Sequence, residues 1–210
     1  MAACVAAALV GVAYPYPAHA ATPERLLTVG DSWNEGVGDR DLSNGLGWSP
    51  VTAKTLGMEL TQDGRGGSGY VNPTTYGAGI FGDRLYRHPR DGYDVVIVQG
   101  STNDKAYLSK LAGNANMTLK AAKARYPSAL IVVVGPMSIS GRADAETLAV
   151  RDKLRAASRA ADVPFVDGIS EGWFAPGDWS RYSDAATGHP NDAAYRRIGQ
   201  KIAADVANLR

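Results

Sequence analysis

Residues 94–104 read Asp94-Val95-Val96-Ile97-Val98-Gln99-Gly100-Ser101-Thr102-Asn103-Asp104. The run from Asp94 to Val98 is rich in β-branched residues and shows no period of two, the mark of a strand buried on both faces. Glycine and short polar residues behind it mark a turn. Leu26 to Val29, Leu130 to Val134 and Phe165 to Val166 read the same way. Helical patterns lie between these runs. One spans Ser49 to Leu56, with Pro50 in its first turn. A second spans Ala106 to Arg125 and is stopped by Pro127; a third spans Ala143 to Ala161. The last, Asp192 to Leu209, aligns Ala193, Ile198, Ile202 and Val206 on one face. Strands separated by helices predict an α/β fold, a doubly wound and mainly parallel sheet flanked by helices.

Size and charge narrow the classes further. The chain has 210 residues, 45% hydrophobic and 20% charged, which is room for one domain with a real core. A net charge of +1 with scattered basic residues leaves no nucleic-acid footprint. Residues 1–20 read as a secretory signal: Met1 to Val12 is apolar and alanine-rich, too short to span a bilayer, and Ala18-His19-Ala20 is a small-x-small cleavage pattern. The usual basic residue at the extreme N-terminus is missing. Cleavage after Ala20 leaves a single domain over 21–210 and removes Cys4, the only cysteine. A thiol nucleophile and a thiolate metal site are thereby excluded from the mature chain. The expected protein is secreted, without a membrane span, and monomeric.

In doubly wound sheets, ligands bind beyond the carboxyl ends of the strands. Gly30-Asp31-Ser32 follows the first strand, presenting Ser32 on a strand-to-helix turn, where it is also a good helix N-cap. Gly64-Arg65-Gly66-Gly67-Ser68-Gly69 can bring bare backbone N–H groups close to a reacting atom. Its spacing fits neither a Walker loop nor a dinucleotide fingerprint. After the 94–98 strand, the Asn103 amide is a fixed neutral donor or a turn former. His189-Pro190-Asn191-Asp192 enters the last helix, with Asp192 as its expected N-cap. His88, in Arg87-His88-Pro89-Arg90, reads as part of an exposed loop.

These blocks, in this order from Leu26 to the C-terminus, resemble the SGNH (GDSL-type) hydrolase family. The resemblance implies a flavodoxin-like three-layer sandwich, a carboxylic-ester hydrolase activity without metal or organic cofactor, and roles residue by residue. Ser32 would be the nucleophile and His189 its base. The Ser32 N–H, the Gly66 N–H and the Asn103 amide would form the oxyanion hole, with Gly67 as the near alternative to Gly66. The family usually carries an aspartate three residues before the histidine, but Ala186 stands there. Asp184, five residues before His189, is the provisional third member; Asp178 and a backbone carbonyl are the other options.

Such a set performs acyl transfer because a serine hydroxyl needs a neighbouring base, and the tetrahedral oxyanion needs preorganised donors. Expected substrates are short-chain acyl or acetyl esters of small molecules or polysaccharides. Trp33, Trp48, Tyr70, Trp173 and Trp179 are candidates for an apolar or sugar-stacking wall. The absence of a lid-like apolar insertion disfavours a triglyceride lipase. Two rivals stand beside the esterase: a carbohydrate-binding or acyl-transferring member of the same fold, and a secreted binding module whose glycine loops are only turns.

Overall fold

The computed structural model describes residues 23–210 except 42, 44, 75 and 76, so the expected signal segment lies outside the described residues. The chain runs β1 (Arg25–Gly30), α1 (Ser32–Glu35), α2 (Trp48–Leu56), β2 (Glu59–Gly64), α3 (Phe81–Leu85) and β3 (Val95–Gln99). A 3-10 helix (Thr102–Tyr107) follows, then α4 (Leu108–Arg125), β4 (Leu130–Val134), α5 (Ala145–Ala160), β5 (Phe165–Val166), α6 (Trp179–Tyr182) and α7 (Asp192–Leu209).

All five strands are parallel, in the order β2-β1-β3-β4-β5. Leu26 lies opposite Val95, and Val95 opposite Leu130. Alternate strand residues feed two cores. Leu27, Val29, Val96, Val98 and Val133 face α3, α4 and α5. Leu26, Val95, Ile97, Val132 and Val134 face α2, α6 and α7. Both faces are apolar, which is why no alternation shows in the sequence. Truncating a residue such as Ile97, wholly buried, to alanine costs about 2–5 kcal/mol. This is the expected three-layer sandwich. The strand order reverses between β1 and β3, so their carboxyl ends flank the crevice where such sheets bind ligands.

The structure adds and corrects several elements. The sequence reading has no strand at β2, whose Glu59-Leu60-Thr61-Gln62-Asp63-Gly64 is polar and only partly buried at the sheet edge. The helix expected from Ala106 opens instead as the 3-10 segment and becomes α-helical at Leu108. The N-cap of α7 is Asn191, not Asp192: Asn191 is extended after Pro190, and its side chain accepts the Ala194 N–H at 3.1 Å. Asp192 is instead the first residue of the helix and accepts the Arg40 N–H at 2.8 Å.

Candidate active site

Ser32 opens α1 directly after β1. Asp31 caps that turn, accepting the Trp33 N–H at 3.0 Å. Burial pushes the Asp31 carboxyl above its ordinary range, although the Trp33 N–H and the Ser101 and Gln99 side chains pull the other way. Asn34, wholly buried, donates to the Asp63 carbonyl and accepts from Thr28 and Ser49. These bonds tie the short helix to β1, α2 and β2. The approach is close: a Cβ on Gly64 would stand 2.1 Å from the Glu35 nitrogen. Only glycine fits at that strand end.

His189 reaches the same edge from the loop before α7. Its Nε2 lies 2.9 Å from Ser32 Oγ, across 157 positions of chain. Its Nδ1 lies 3.0 Å from the Thr187 carbonyl. A carbonyl can only accept, so Nδ1 carries the proton and Nε2 is free to accept from the serine hydroxyl.

Asp184 does not hold the ring. Its Oδ1 accepts the Ala186 N–H, the Thr187 N–H and the Thr187 hydroxyl, at 3.0–3.1 Å. Its Oδ2 pairs with Arg40 at 3.0 Å. The Thr187 hydroxyl first, with the Thr187 N–H and Arg40, holds its carboxyl below the ordinary range. The reason is local: five residues closed by Gly188 at φ 68° make a tight turn. An aspartate at the head of such a turn bonds the N–H groups two and three positions on. Asp178 turns to the Ala175 N–H. The backbone carbonyl is the option that meets the imidazole.

The donor loops converge on the serine. A Cβ on Gly66 would lie 3.7 Å from Ser32 Cβ, but the Gly66 N–H is bonded to Glu35 Oε2 at 2.6 Å. Asn103 uses one amide hydrogen on the Ser68 carbonyl at 2.9 Å; an amide has two, so one remains to give. Ser101 Oγ holds the same carbonyl. Buried Asp104 accepts the N–H groups of Tyr70, Val71 and Asn72 at 2.8–3.0 Å, fastening the end of the glycine loop to the 3-10 helix behind β3. Burial still pushes its carboxyl up. A Cβ on Gly69 would sit 2.4 Å from Asp104 Oδ2, so this fastening requires glycine there.

Sequence reading missed the hub beneath the loop. Arg84, 1% exposed, donates to the Gly30 carbonyl, Ser68 Oγ and both the carbonyl and carboxylate of Asp63. One cation thus joins the strand end before Ser32, the glycine loop and β2. His88 is not the exposed loop residue expected: its Nε2 lies 3.0 Å from Asp63 Oδ2. Burial draws the Asp63 carboxyl up, but hydrogen bonds from His88 and Arg84 outweigh it and hold the group at about 2.

The proposed aromatic wall shrinks. Trp48, Tyr70 and Trp173 are core residues. Trp33 is half-buried, and Trp179, 48% exposed, approaches to 4.0 Å of the position a Gly188 Cβ would take. A cavity of about 190 Å³ opens beside Gly66, lined also by Glu35, Arg65, Thr74 and Ala78. Among the described residues, no helix is long and apolar enough to cross a membrane.

A parallel sheet that delivers a hydroxyl and an imidazole to one edge, among backbone and amide donors, puts the protein with the hydrolases built on three-layer α/β sandwiches. The chain belongs to the GDSL-like lipase/acylhydrolase family, whose model matches residues 28–197, and esterase or acylhydrolase activity comes with that membership. It is 32% identical to a GDSL lipase of Mycobacterium tuberculosis, over 85% of this chain and 79% of that protein. Two solved structures share the fold at low identity. One is a carbohydrate acetylesterase from Sinorhizobium meliloti (TM-score 0.65, 18% identity, 89% of this chain and all of that one). The other is an aryl esterase from M. smegmatis (TM-score 0.59, 20% identity, the same coverages).

Proposed function

We propose that this chain is a secreted serine esterase that cleaves short-chain acyl or acetyl esters through an acyl-serine intermediate. The observation that carries the reading is the 2.9 Å approach of His189 Nε2 to Ser32 Oγ, with the ring's other nitrogen on the Thr187 carbonyl. In this reading, Ser32 Oγ attacks the ester carbonyl as its proton passes to Nε2. The negative charge that develops on the carbonyl oxygen is met by the Ser32 and Gly66 N–H groups and the second Asn103 amide hydrogen. The intermediate collapses when Nε2 returns the proton to the departing alcohol. A water then repeats the sequence and frees Ser32. The Thr187 carbonyl fixes the tautomer and stabilises the imidazolium only as a dipole, where a carboxylate would do so as a charge. The Ala18-His19-Ala20 pattern supports export. The acetylesterase and aryl esterase that share the fold favour a small acyl group.

The test is hydrolysis of p-nitrophenyl acetate and butyrate, together with fluorophosphonate labelling read by mass spectrometry. Wild type is expected to hydrolyse both and to gain the adduct on Ser32. Ser32→Ala is expected to fall by about a million-fold in turnover, as removal of such a nucleophile does elsewhere. Equal rates in the two proteins would overturn the assignment.

A further inference from the structure

Glu35 ends α1 three residues after the nucleophile, and its carboxylate sits on a donor that the esterase reading assigns to the oxyanion. The Gly66 N–H points to Glu35 Oε2 at 2.6 Å, the short distance of a charge-assisted bond. The contact is at the reacting serine, because the Cβ position of Gly66 is 3.1 Å from that same oxygen and 3.7 Å from Ser32 Cβ. The Glu35 backbone cannot drift, since α1 is pressed against the end of β2 at Gly64. Its side chain is exposed and borders the 190 Å³ cavity with Arg65, Thr74 and Ala78. A carboxylate presents the same charge and the same acceptor oxygens as a tetrahedral oxyanion or a product acid.

We propose that Glu35 is a specificity-determining residue of this site, holding the Gly66 donor in the free enzyme and selecting against negatively charged acyl groups. The proposal rests on the esterase reading and on Gly66 as an oxyanion donor. A neutral ester carbonyl takes the Gly66 hydrogen bond from Glu35 at a modest cost. An acyl chain carrying its own carboxylate meets like charge at Glu35, on the Gly66 donor itself, while the Arg65 guanidinium on the same cavity is engaged by the Gly64 carbonyl at 2.8 Å; a product acid must compete with a carboxylate already in place. Glu35 therefore slows the enzyme somewhat on all esters while keeping it clear of its acidic product.

The experiment compares wild type, Ser32→Ala, Glu35→Gln and Glu35→Ala on two four-carbon esters, p-nitrophenyl butyrate and p-nitrophenyl hydrogen succinate, with acetate as inhibitor. Glu35→Gln keeps an acceptor for Gly66 but removes the charge, and Glu35→Ala removes both. The preference for butyrate over succinate is expected to fall by about tenfold in both variants, the size of one partly screened charge interaction. In Glu35→Ala, kcat/KM for butyrate is expected to rise, and acetate to inhibit at lower concentration. An unchanged ester preference in Glu35→Gln overturns the proposal. So does a parallel loss on both esters in Glu35→Ala, which would make Glu35 only an anchor for the glycine loop. A wild type no faster than Ser32→Ala removes the esterase reading and this proposal with it. An active wild type whose preference survives both substitutions removes the proposal alone.

Discussion

The two halves of the candidate site are held in place by opposite means. Ser32 stands on a buried scaffold: Asn34, Arg84, Asp31 and Asp104 are all at most 4% exposed; Asn34 and Arg84 each satisfy groups from separate elements, and Asp104 satisfies three N–H groups of one loop. His189 stands on an exposed loop, residues 184–189, that holds itself together through Asp184, Thr187 and Gly188. Removing a side chain from the first half leaves unpaired polar groups in the interior, whereas removing one from the second leaves groups that water can satisfy. The difference teaches where tolerance to substitution lies. The geometry of Ser32 depends on the fold, and that of His189 on one turn.

That contrast can be broken most forcefully at Arg84. Replacing it with methionine leaves Asp63 with His88 alone and takes the buried donor from the Gly30 carbonyl and Ser68 Oγ; breaking a buried ion pair costs about 3–5 kcal/mol, and the remaining His88 partner puts this one at the lower end. Urea unfolding of Arg84→Met should show a loss of that size, and a variant as stable as wild type would mean the hub is not holding the loop. Asn103 comes next. In the proposed mechanism its amide is one oxyanion donor, so substitution by alanine should lower kcat by about a hundred- to a thousand-fold with little change in KM. A fall in affinity alone would assign Asn103 to binding.

Asp63 tests the same scaffold through pH. Its folded carboxyl titrates at about 2, below the roughly 3.9 of an unfolded aspartate. A depressed carboxylate contributes stability that is complete above the unfolded value and is lost as the pH falls through the folded one. Wild type should therefore lose stability between about pH 5 and pH 2 more steeply than Asp63→Asn, measured by acid titration of the unfolding midpoint. Parallel curves would remove Asp63 from the account.

How much of this was legible beforehand follows the same division. The central strands announced themselves as unbroken apolar runs because helices cover both faces. Ser32 and His189 were legible through the order of blocks and their places at element ends. β2 was not, because an edge strand needs few apolar residues, and Glu59–Gly64 has one. Arg84 carried no mark in the sequence, since only its partners in space show why a cation is buried there. Glu35 carried no signal at all, being one acidic residue in a short helix. The partner of His189 was the least legible feature. It is a backbone carbonyl, and every residue has one, so no residue type can mark it.

Asp184→Ala is where the account is most exposed. If the Thr187 carbonyl holds the imidazole, Asp184 only braces its own turn and pairs with the exposed Arg40, contacts that touch neither Ser32 nor the imidazole. Its kcat/KM on p-nitrophenyl acetate should then stay within about tenfold of wild type, with Ser32 still labelled by fluorophosphonate. A loss near ten-thousand-fold, the size seen when a triad loses its carboxylate, would contradict the carbonyl-held Ser32–His189 pair and restore Asp184 as the third member.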